Sequence, residues 1–395
     1  MRRTVYFDNN ATTRPLDQVV DAMLPILREQ YANPSSVHQF GQTVRHRVEL
    51  AREEVAALVH ASPKEIVFTS GGTESINLAI RGTLAARPAK RHLVTSAVEH
   101  SAVYRLADAL EDEGVRVDRV GVDRDGQLDC DELAERITDE TALVSLMHVN
   151  NETGVVFDVE RIAAITQERG VPLHIDAVQS AGKLPIDLSP DGGLAAQLVS
   201  ISGHKLHGPK GVGALFIRRR TRIAPLIYGG RQERELRAGT ENVAGIVGFG
   251  AACTHARSAL TGDETARVAA LRDRLEAGIL AAIPFAHVNG RSANRVCNTT
   301  NIGFEGLEAE AILLLLSEAG ICTSSGSACS SGSLEPSHVL KAMGIDPRIA
   351  HGAIRFSLSR FNTAEEVDHV VAELPKLLAR LTALAHAGAK SALSY

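Results

Sequence analysis

Short apolar runs alternate with longer segments of helical period between about residue 45 and residue 220. Apolar runs of strand length that recur after helical segments indicate a doubly wound sheet, whose parallel strands are buried between two layers of helices. The predicted strands are EIVFTS (65–70), HLVTSAV (92–98), ALVSLMHV (142–149), PLHIDAV (172–178) and QLVSIS (197–202). The predicted helices are 75–86, 101–113, 131–137 and 159–168. This part of the chain is therefore predicted to be an α/β domain.

The character of the sequence changes after about residue 258. The elements predicted there are a long charged helix at 264–281, strands near 300–304 and 354–358, and a polar amphipathic helix at the end. At 395 residues, the chain exceeds the size at which a single hydrophobic core usually stops growing. We therefore predict a second, smaller α+β domain.

Charge and cysteine content narrow the class of protein. The net charge of −5 gives no basic field that would attract nucleic acid or an anionic membrane. The chain has no apolar span of membrane length and no apolar segment in MRRTVYFDNN, so we expect a cytoplasmic protein. Its five scattered cysteines include no C-x-x-C pair, which argues against a disulfide framework and a structural zinc site.

Cys329 lies in a run of very small residues, SSGSACSSGS at 324–333. Glycine and serine favour flexible loops, and such a segment has almost no side chain to bury. A thiolate is a strong nucleophile at neutral pH, and a thiol on a mobile loop reaches two different places. The alternative interpretation is a surface loop whose cysteine is incidental.

Three motifs fall at predicted strand ends, where open α/β sheets bind ligands. The first is SGGTE at 70–74, directly before a predicted helix. Paired glycines let backbone N–H groups approach an anion, the helix N-terminus favours negative charge, and Thr73 adds a hydroxyl donor. This predicts a phosphate cradle, although a plain helix N-cap accounts for the motif equally well.

The second motif places Asp176 at the end of the apolar strand PLHIDAV, with Gln179 three residues later. A buried aspartate is costly unless a positive group pairs with it, and a protonated heterocyclic nitrogen would do so. Gln179 is placed to offer its amide to an adjacent ring oxygen. The alternative is a core aspartate that is satisfied by backbone donors.

The third motif is SGHK at 202–205, after the strand QLVSIS. A lysine close to a buried strand end loses solvation, which favours the neutral amine that attacks an aldehyde. His204 and His207 have no third ligand nearby, so a metal site is not predicted here. Together the three motifs indicate pyridoxal phosphate (PLP) chemistry: a Schiff-base lysine, an aspartate for the pyridinium nitrogen, and a phosphate cradle.

The motifs in order resemble those of the group I cysteine desulfurases of the NifS/IscS type, in the class V aminotransferase family. The blocks that carry the resemblance are YFDNNATTRP, YANPSSVHQFG, FTSGGTES, VEHSAV, HVNNETG, HIDAVQSAGK, SGHKLHGPKGVG, GGRQERELRAGTEN, SSGSACSSGSLEPSHVLKAMG and IRFSLSR. The resemblance implies PLP fold-type I, with a mainly parallel seven-stranded sheet and a smaller α+β domain. We place the large domain at 14–258 and the small domain at 1–13 plus 259–395, which includes Cys329.

The resemblance also implies roles for single residues. It makes Lys205 the Schiff-base lysine, Asp176 the partner of the ring nitrogen, and Gln179 the partner of the ring oxygen. His100 would stack on the ring and take part in catalysis. The phosphate would be held by Gly72, Thr73, Ser202 and His204, and by Thr240 from the neighbouring subunit of a homodimer. Asn151, which would also contact the cofactor, and Arg355 would hold the substrate carboxylate. For Arg355 a structural salt bridge, and for His100 a buried core histidine, are the alternatives.

The activity implied is conversion of L-cysteine to L-alanine with a persulfide on Cys329. The implied acceptor is a U-type iron–sulfur scaffold protein, and Cys329 would transiently ligate a forming [2Fe-2S] cluster. The sequence leaves open another PLP reaction, such as transamination or selenocysteine lysis, and a non-catalytic sulfur-trafficking scaffold.

Overall fold

The computed structural model describes residues 4–191, 193–325 and 335–392. Its central element is a sheet of seven strands in the order β2-β8-β7-β6-β5-β3-β4. The strands are β2 (Ile66–Thr69), β3 (His92–Ser96), β4 (Arg116–Val120), β5 (Thr141–Met147), β6 (Leu173–Asp176), β7 (Leu198–Ser202) and β8 (Gly213–Ile217). All pairings are parallel except those of β8, which runs antiparallel to β2 and β7. The predicted α/β fold with a mainly parallel seven-stranded sheet is confirmed.

The reversed direction of β8 follows from the length of its connection to β7. Residues 203–212 join the two strands, and a parallel crossover needs about a dozen residues or more. The chain instead turns through a short 3₁₀ helix, Gly203–Lys205, and returns beside β7. This turn holds Lys205 at the end of the sheet.

Burial explains which strands the sequence reveals. All seven residues of β5 are buried, as expected of a strand covered on both faces, and such strands are continuous apolar runs. The edge strand β4 has the sequence RVDRV and is partly exposed, so it lacks an apolar run. The charged side chains of Arg116, Asp118 and Arg119 protect this edge from pairing with other chains.

Helices cover both sides of the sheet and build most of the remaining structure. They are α1 (Asp17–Arg28), α2 (Gln39–Leu58), α3 (Gly72–Ala86), α4 (Ser101–Asp112), α5 (Cys130–Arg136), α6 (Val159–Glu168), α7 (Val243–Thr261), α8 (Glu264–Ala282), α9 (Ala309–Glu318), α10 (His338–Ala342), α11 (Pro347–Ala350) and α12 (Ala364–Ala392). The prediction for α6 has the observed bounds, whereas α3 begins three residues earlier than predicted, at Gly72. No helix among the described residues is both long and apolar enough to cross a bilayer.

The last third of the chain forms a smaller antiparallel sheet in the order β12-β10-β9. Its strands are β9 (Ala286–Asn289), β10 (Thr299–Phe304) and β12 (Ala353–Ser357). The N-terminal strand β1 (Val5–Tyr6) pairs with β11 (Ile321–Cys322), and Val5 and Phe7 are buried in the same apolar cluster as residues of α8, α9 and α12. The domain boundaries at residues 13 and 258 stay a prediction.

Candidate active site

A cavity of about 530 Å³ opens where β5, β6 and β7 end. Its walls come from both sheets, from the N-termini of α3 and α4, and from Asn10 and Ala11 near the start of the chain. Ten of the predicted site residues line it: Gly72, Thr73, His100, Asn151, Asp176, Gln179, Ser202, His204, Lys205 and Arg355. Residues that are far apart in sequence are therefore brought together around one space.

The phosphate cradle is built by the first turn of α3 and by Ser202. Helix α3 begins at Gly72, where an added Cβ would lie 2.7 Å from Val178 Cγ2. A side chain at position 72 would therefore fill the cavity wall, whereas glycine leaves its backbone accessible. Ser202 Oγ is buried and has no hydrogen-bond partner in the structure. An unpartnered hydroxyl beside a helix N-terminus suits a phosphate group.

Ser202→Ala is expected to weaken PLP binding to the apo-protein about tenfold or more, because a hydrogen bond to a charged group is lost. The free energy of unfolding of the apo-protein should not fall, because the replaced hydroxyl is unsatisfied. Ser200→Ala is the matched control: Ser200 Oγ pairs with His174 Nε2 at 2.9 Å, away from the cavity. It should lower stability and leave PLP affinity unchanged, as fluorescence titration and chemical denaturation can measure. Equal PLP affinity for Ser202→Ala and the wild type would contradict the assignment.

Asp176 is the last residue of β6 and is buried. Its Oδ1 accepts a hydrogen bond from the Val178 backbone N at 2.9 Å. Burial raises the pKa of Asp176 to about 6, against the opposing effects of this hydrogen bond and of Lys205. A carboxyl group with this environment gains from a cationic partner in the cavity, as a protonated ring nitrogen would be.

Lys205 ends the 3₁₀ turn after β7 and lies close to the N-terminal segment. Its Nζ donates to the carbonyl oxygen of Asn10 and, at 2.8 Å, to that of Ala11. Burial lowers the pKa of Lys205 to about 7, and the nearby charges of Lys183 and Arg355 lower it further than burial alone would. A large fraction of Lys205 is therefore the neutral, nucleophilic amine near neutral pH.

This lowered pKa predicts how covalent attachment of PLP to the apo-protein depends on pH. Only the neutral amine reacts, so the attachment rate should rise about tenfold per pH unit below pH 7 and level off above about pH 8. Stopped-flow absorbance measures this rate, and free Nα-acetyllysine serves as the reference for ionisation of PLP itself. A corrected rate that rises up to about pH 10, like that of a solvated lysine, would contradict the assigned environment.

His100 forms the N-cap of α4. Its Nδ1 accepts a hydrogen bond from the Ala102 backbone N at 3.1 Å, which leaves the proton of the neutral ring on Nε2. Burial lowers the pKa of His100 to about 4, with Lys205, His338 and Arg355 acting in the same direction. The ring is therefore neutral at pH 7 and is suited to stacking on a cofactor ring.

Arg355 lies on β12 and reaches the cavity from the smaller sheet. Its Nη1 donates to the Asn151 carbonyl oxygen at 3.1 Å, and its Nη2 donates to Asp8 Oδ1 at 2.8 Å. The guanidinium group thus takes part in an ion pair, as the structural alternative predicts, and also lines the cavity. Its planar group of donors suits a carboxylate ligand.

Two predicted site residues are not placed in the cavity. Thr240 is exposed and does not line the cavity of its own chain. Cys329 lies outside the described residues. Within the described ranges, no group of three or more His, Cys, Asp and Glu side chains is arranged to hold a metal ion.

Sequence reasoning missed several residues of this site. The Asn10 side chain joins the two sheets, because its Nδ2 donates to the Asn151 carbonyl oxygen and to Thr299 Oγ1. Glu99 is fully buried, and burial raises its pKa to about 8. The available signal for Asn10 was the polar run DNNATT directly after an apolar pair, which is unusual for a strand continuing into a core.

This cavity, at the carboxyl edge of a mainly parallel sheet and with a desolvated lysine, has the architecture of fold-type I PLP enzymes. The family model for class V aminotransferases matches residues 5–370, so the chain belongs to the class V aminotransferase family.

Similar proteins narrow the class further. The cysteine desulfurase NifS of Azotobacter vinelandii is 51% identical over 378 residues, which cover 95% of this chain and 93% of that protein. A solved structure described as a NifS-like protein is 39% identical, has a TM-score of 0.88, and matches over 95% of this chain and 100% of its own. The structure of SspA in complex with cysteine is 35% identical, has a TM-score of 0.80, and matches over 91% of this chain and 100% of its own.

Proposed function

We propose that this protein is a PLP-dependent cysteine desulfurase that converts L-cysteine to L-alanine and transfers the sulfur to Cys329. The observation that carries the proposal is the convergence of Lys205, Asp176 and Arg355 on one cavity. These side chains supply an amine nucleophile, a partner for a ring cation, and a carboxylate-binding guanidinium group.

The residues present fit PLP. Lys205 would bind its aldehyde carbon covalently, Asp176 would hold the ring nitrogen, and Gln179 the ring oxygen. Ser202, Thr73 and the N-terminus of α3 at Gly72 would bind the phosphate, with His204 beside them. When bound to the amino group of the substrate, PLP stabilises the electron pair left at Cα after proton removal.

The chain's own groups then divide the remaining work. Arg355, held by Asp8 and the Asn151 carbonyl, would bind the cysteine carboxylate and fix its orientation. Lys205 as a neutral amine would remove the Cα proton, because its lowered pKa suits a general base near pH 7. The neutral His100 ring would cover the cofactor and exclude water from that side.

Sulfur transfer requires a thiolate, and we assign this role to Cys329 from its sequence context. The Cys329 sulfur would attack the substrate sulfur, so that an S–S bond forms while the Cβ–S bond breaks. The carbon skeleton takes up protons and leaves as L-alanine, while Cys329 retains the added sulfur as a persulfide. One cysteine and one protein thiol thus give one alanine and one persulfide, with atoms and electrons balanced.

The direct test incubates the purified, PLP-loaded protein with L-cysteine and dithiothreitol. Alanine and sulfide should form in equal amounts at many turnovers per protein, as measured by amino-acid analysis and sulfide assay. Pyruvate or a transaminated cofactor in place of alanine would favour another PLP reaction. A protein that binds no PLP and releases no alanine would favour the non-catalytic scaffold.

We further propose a cytoplasmic homodimer in which Thr240 reaches the phosphate in the partner's cavity. The exposure of Thr240 and its absence from the lining of its own cavity support this arrangement. The proposed acceptor of sulfur from Cys329 is a U-type iron–sulfur scaffold protein, with Cys329 as a transient ligand of its [2Fe-2S] cluster.

A further inference from the structure

Lys183 lies in the loop after β6 and contacts Gln179 twice. Its Nζ donates to the Gln179 carbonyl oxygen at 3.0 Å and to Gln179 Oε1 at 3.1 Å. The loop folds back on itself, with Leu184 N donating to the Ser180 carbonyl oxygen at 2.9 Å. Gly182 permits this turn: its φ is +70°, and an added Cβ would lie 2.6 Å from Leu206 Cδ2. The turn thus carries the Lys183 ammonium group back to Gln179.

The contact decides which way the Gln179 amide faces. A lysine ammonium group has donors and no acceptor, so it can face only the oxygen of the amide. The Gln179 NH₂ group is therefore directed away from Lys183, and its Nε2 donates to the Asn10 carbonyl oxygen at 3.0 Å. That carbonyl also accepts from Lys205, and Gln179 lines the cavity. One of the two amide N–H groups is used by Asn10, and the other remains for a ligand.

Lys183 also acts on Lys205 through its charge. Both lysines line a second, smaller cavity of about 60 Å³ next to the active-site cavity. Besides Lys183, the charged groups acting on Lys205 are Arg355, which opposes a positive charge on it, and Asp8 and Asp176, which favour one.

Other titratable groups share the smaller cavity with Lys183. They are His207, His255, Cys297, Glu264 and Arg360. Burial lowers the pKa of Lys183 to about 8, and Cys297 acts in the opposite direction. Lys183 therefore still carries its charge through most of the range in which Lys205 loses its own.

We propose that Lys183 is a positioning residue for cofactor attachment: its ammonium group turns the Gln179 NH₂ toward the cavity and disfavours a second positive charge on Lys205. This inference rests on the proposed function, because Gln179 would meet the ring oxygen of PLP. Lys183 itself touches Gln179 and lies behind Lys205, so it acts on the cofactor through these two residues.

The test loads the full-length apo-protein with PLP and measures two quantities, the dissociation constant and the pH midpoint of the attachment rate. For Lys183→Met we expect affinity to fall about tenfold and the midpoint to rise by about 1 pH unit. Lys183→Arg, which keeps the charge and the donors, should restore both toward wild-type values. Lys64→Met is the matched control, because Lys64 is exposed and away from both cavities.

A Lys183→Met protein with the affinity and midpoint of Lys64→Met would overturn the proposal. Should Lys183→Met fail to fold, Lys183→Gln replaces it, with the midpoint expected to rise and the affinity expected to stay near that of the wild type. An unchanged midpoint in Lys183→Gln would equally overturn the role of the charge.

A double variant tests whether Lys183 acts through Gln179. If it does, Gln179→Met/Lys183→Met should bind PLP about as weakly as Gln179→Met alone, whereas additive losses would contradict this route. Loading of PLP does not require desulfurase turnover. A wild-type protein that takes up no PLP would therefore overturn the proposed function, and normal wild-type uptake with an unaffected Lys183→Met would overturn only the role of Lys183.

Discussion

Replacing Lys205 with alanine is expected to lower turnover of L-cysteine by about 10³- to 10⁴-fold, because both the covalent anchor and the general base are lost. Borohydride reduction of the wild-type protein should fix PLP to the peptide that contains Lys205, as mass spectrometry would detect. The same treatment of Lys205→Ala should label no peptide. The assay thus separates loss of attachment from loss of activity.

The fold should survive this substitution. Lys205 is a buried amine whose charged form is disfavoured, so its removal should lower the free energy of unfolding by no more than about 1 kcal/mol despite the lost contacts with Asn10 and Ala11. Lys210→Ala is the matched control, because Lys210 is exposed five residues later in the same motif and should leave both labelling and turnover unchanged. Borohydride labelling of another lysine in the wild-type protein would contradict the assignment of Lys205.

The second large effect is expected for Cys329→Ser, which should lower L-cysteine desulfuration by at least about 10³-fold. A serine hydroxyl is far less nucleophilic toward sulfur than a thiolate. Loading of PLP and its absorbance should remain those of the wild type, because Cys329 has no part in holding the cofactor. Alanine and sulfide assays, run beside an absorption spectrum, measure both quantities.

Cys130→Ser is the control for this variant. Cys130 is buried at the start of α5, and burial raises the pKa of its thiol, so it is not a reactive thiolate. Its replacement should leave desulfuration unchanged. If Cys329→Ser turned over L-cysteine as the wild type does, the reaction would be a different PLP reaction that needs no protein thiol.

The buried strands of the large sheet were predictable because burial leaves a continuous apolar run in the sequence. The runs that predict β5 and β6 correspond to strands whose residues are all buried. Edge strand β4 was not predictable in this way, because solvent on its exposed side allows charged residues. The antiparallel direction of β8 depends on a connection length that apolar periodicity does not report.

The site shows the same division. Asp176 and Lys205 were predictable because a charged residue directly after a buried strand is unusual and needs a chemical reason. The carbonyl groups of Asn10 and Ala11 that hold Lys205 were not predictable, because a backbone acceptor leaves no signature in the sequence. Contacts of Lys183 with Gln179 depend on a tight turn that only the three-dimensional structure reveals.

One measurement tests the central claim most directly: the mass of the peptide that contains Cys329 after a single turnover. The PLP-loaded protein is mixed with one equivalent of ³⁴S-labelled L-cysteine without reductant, alkylated, digested and examined by mass spectrometry. We expect this peptide to carry one additional ³⁴S atom on Cys329, with an equal amount of L-alanine released. Release of alanine with no added sulfur on Cys329, or with the label on another cysteine, would contradict the account.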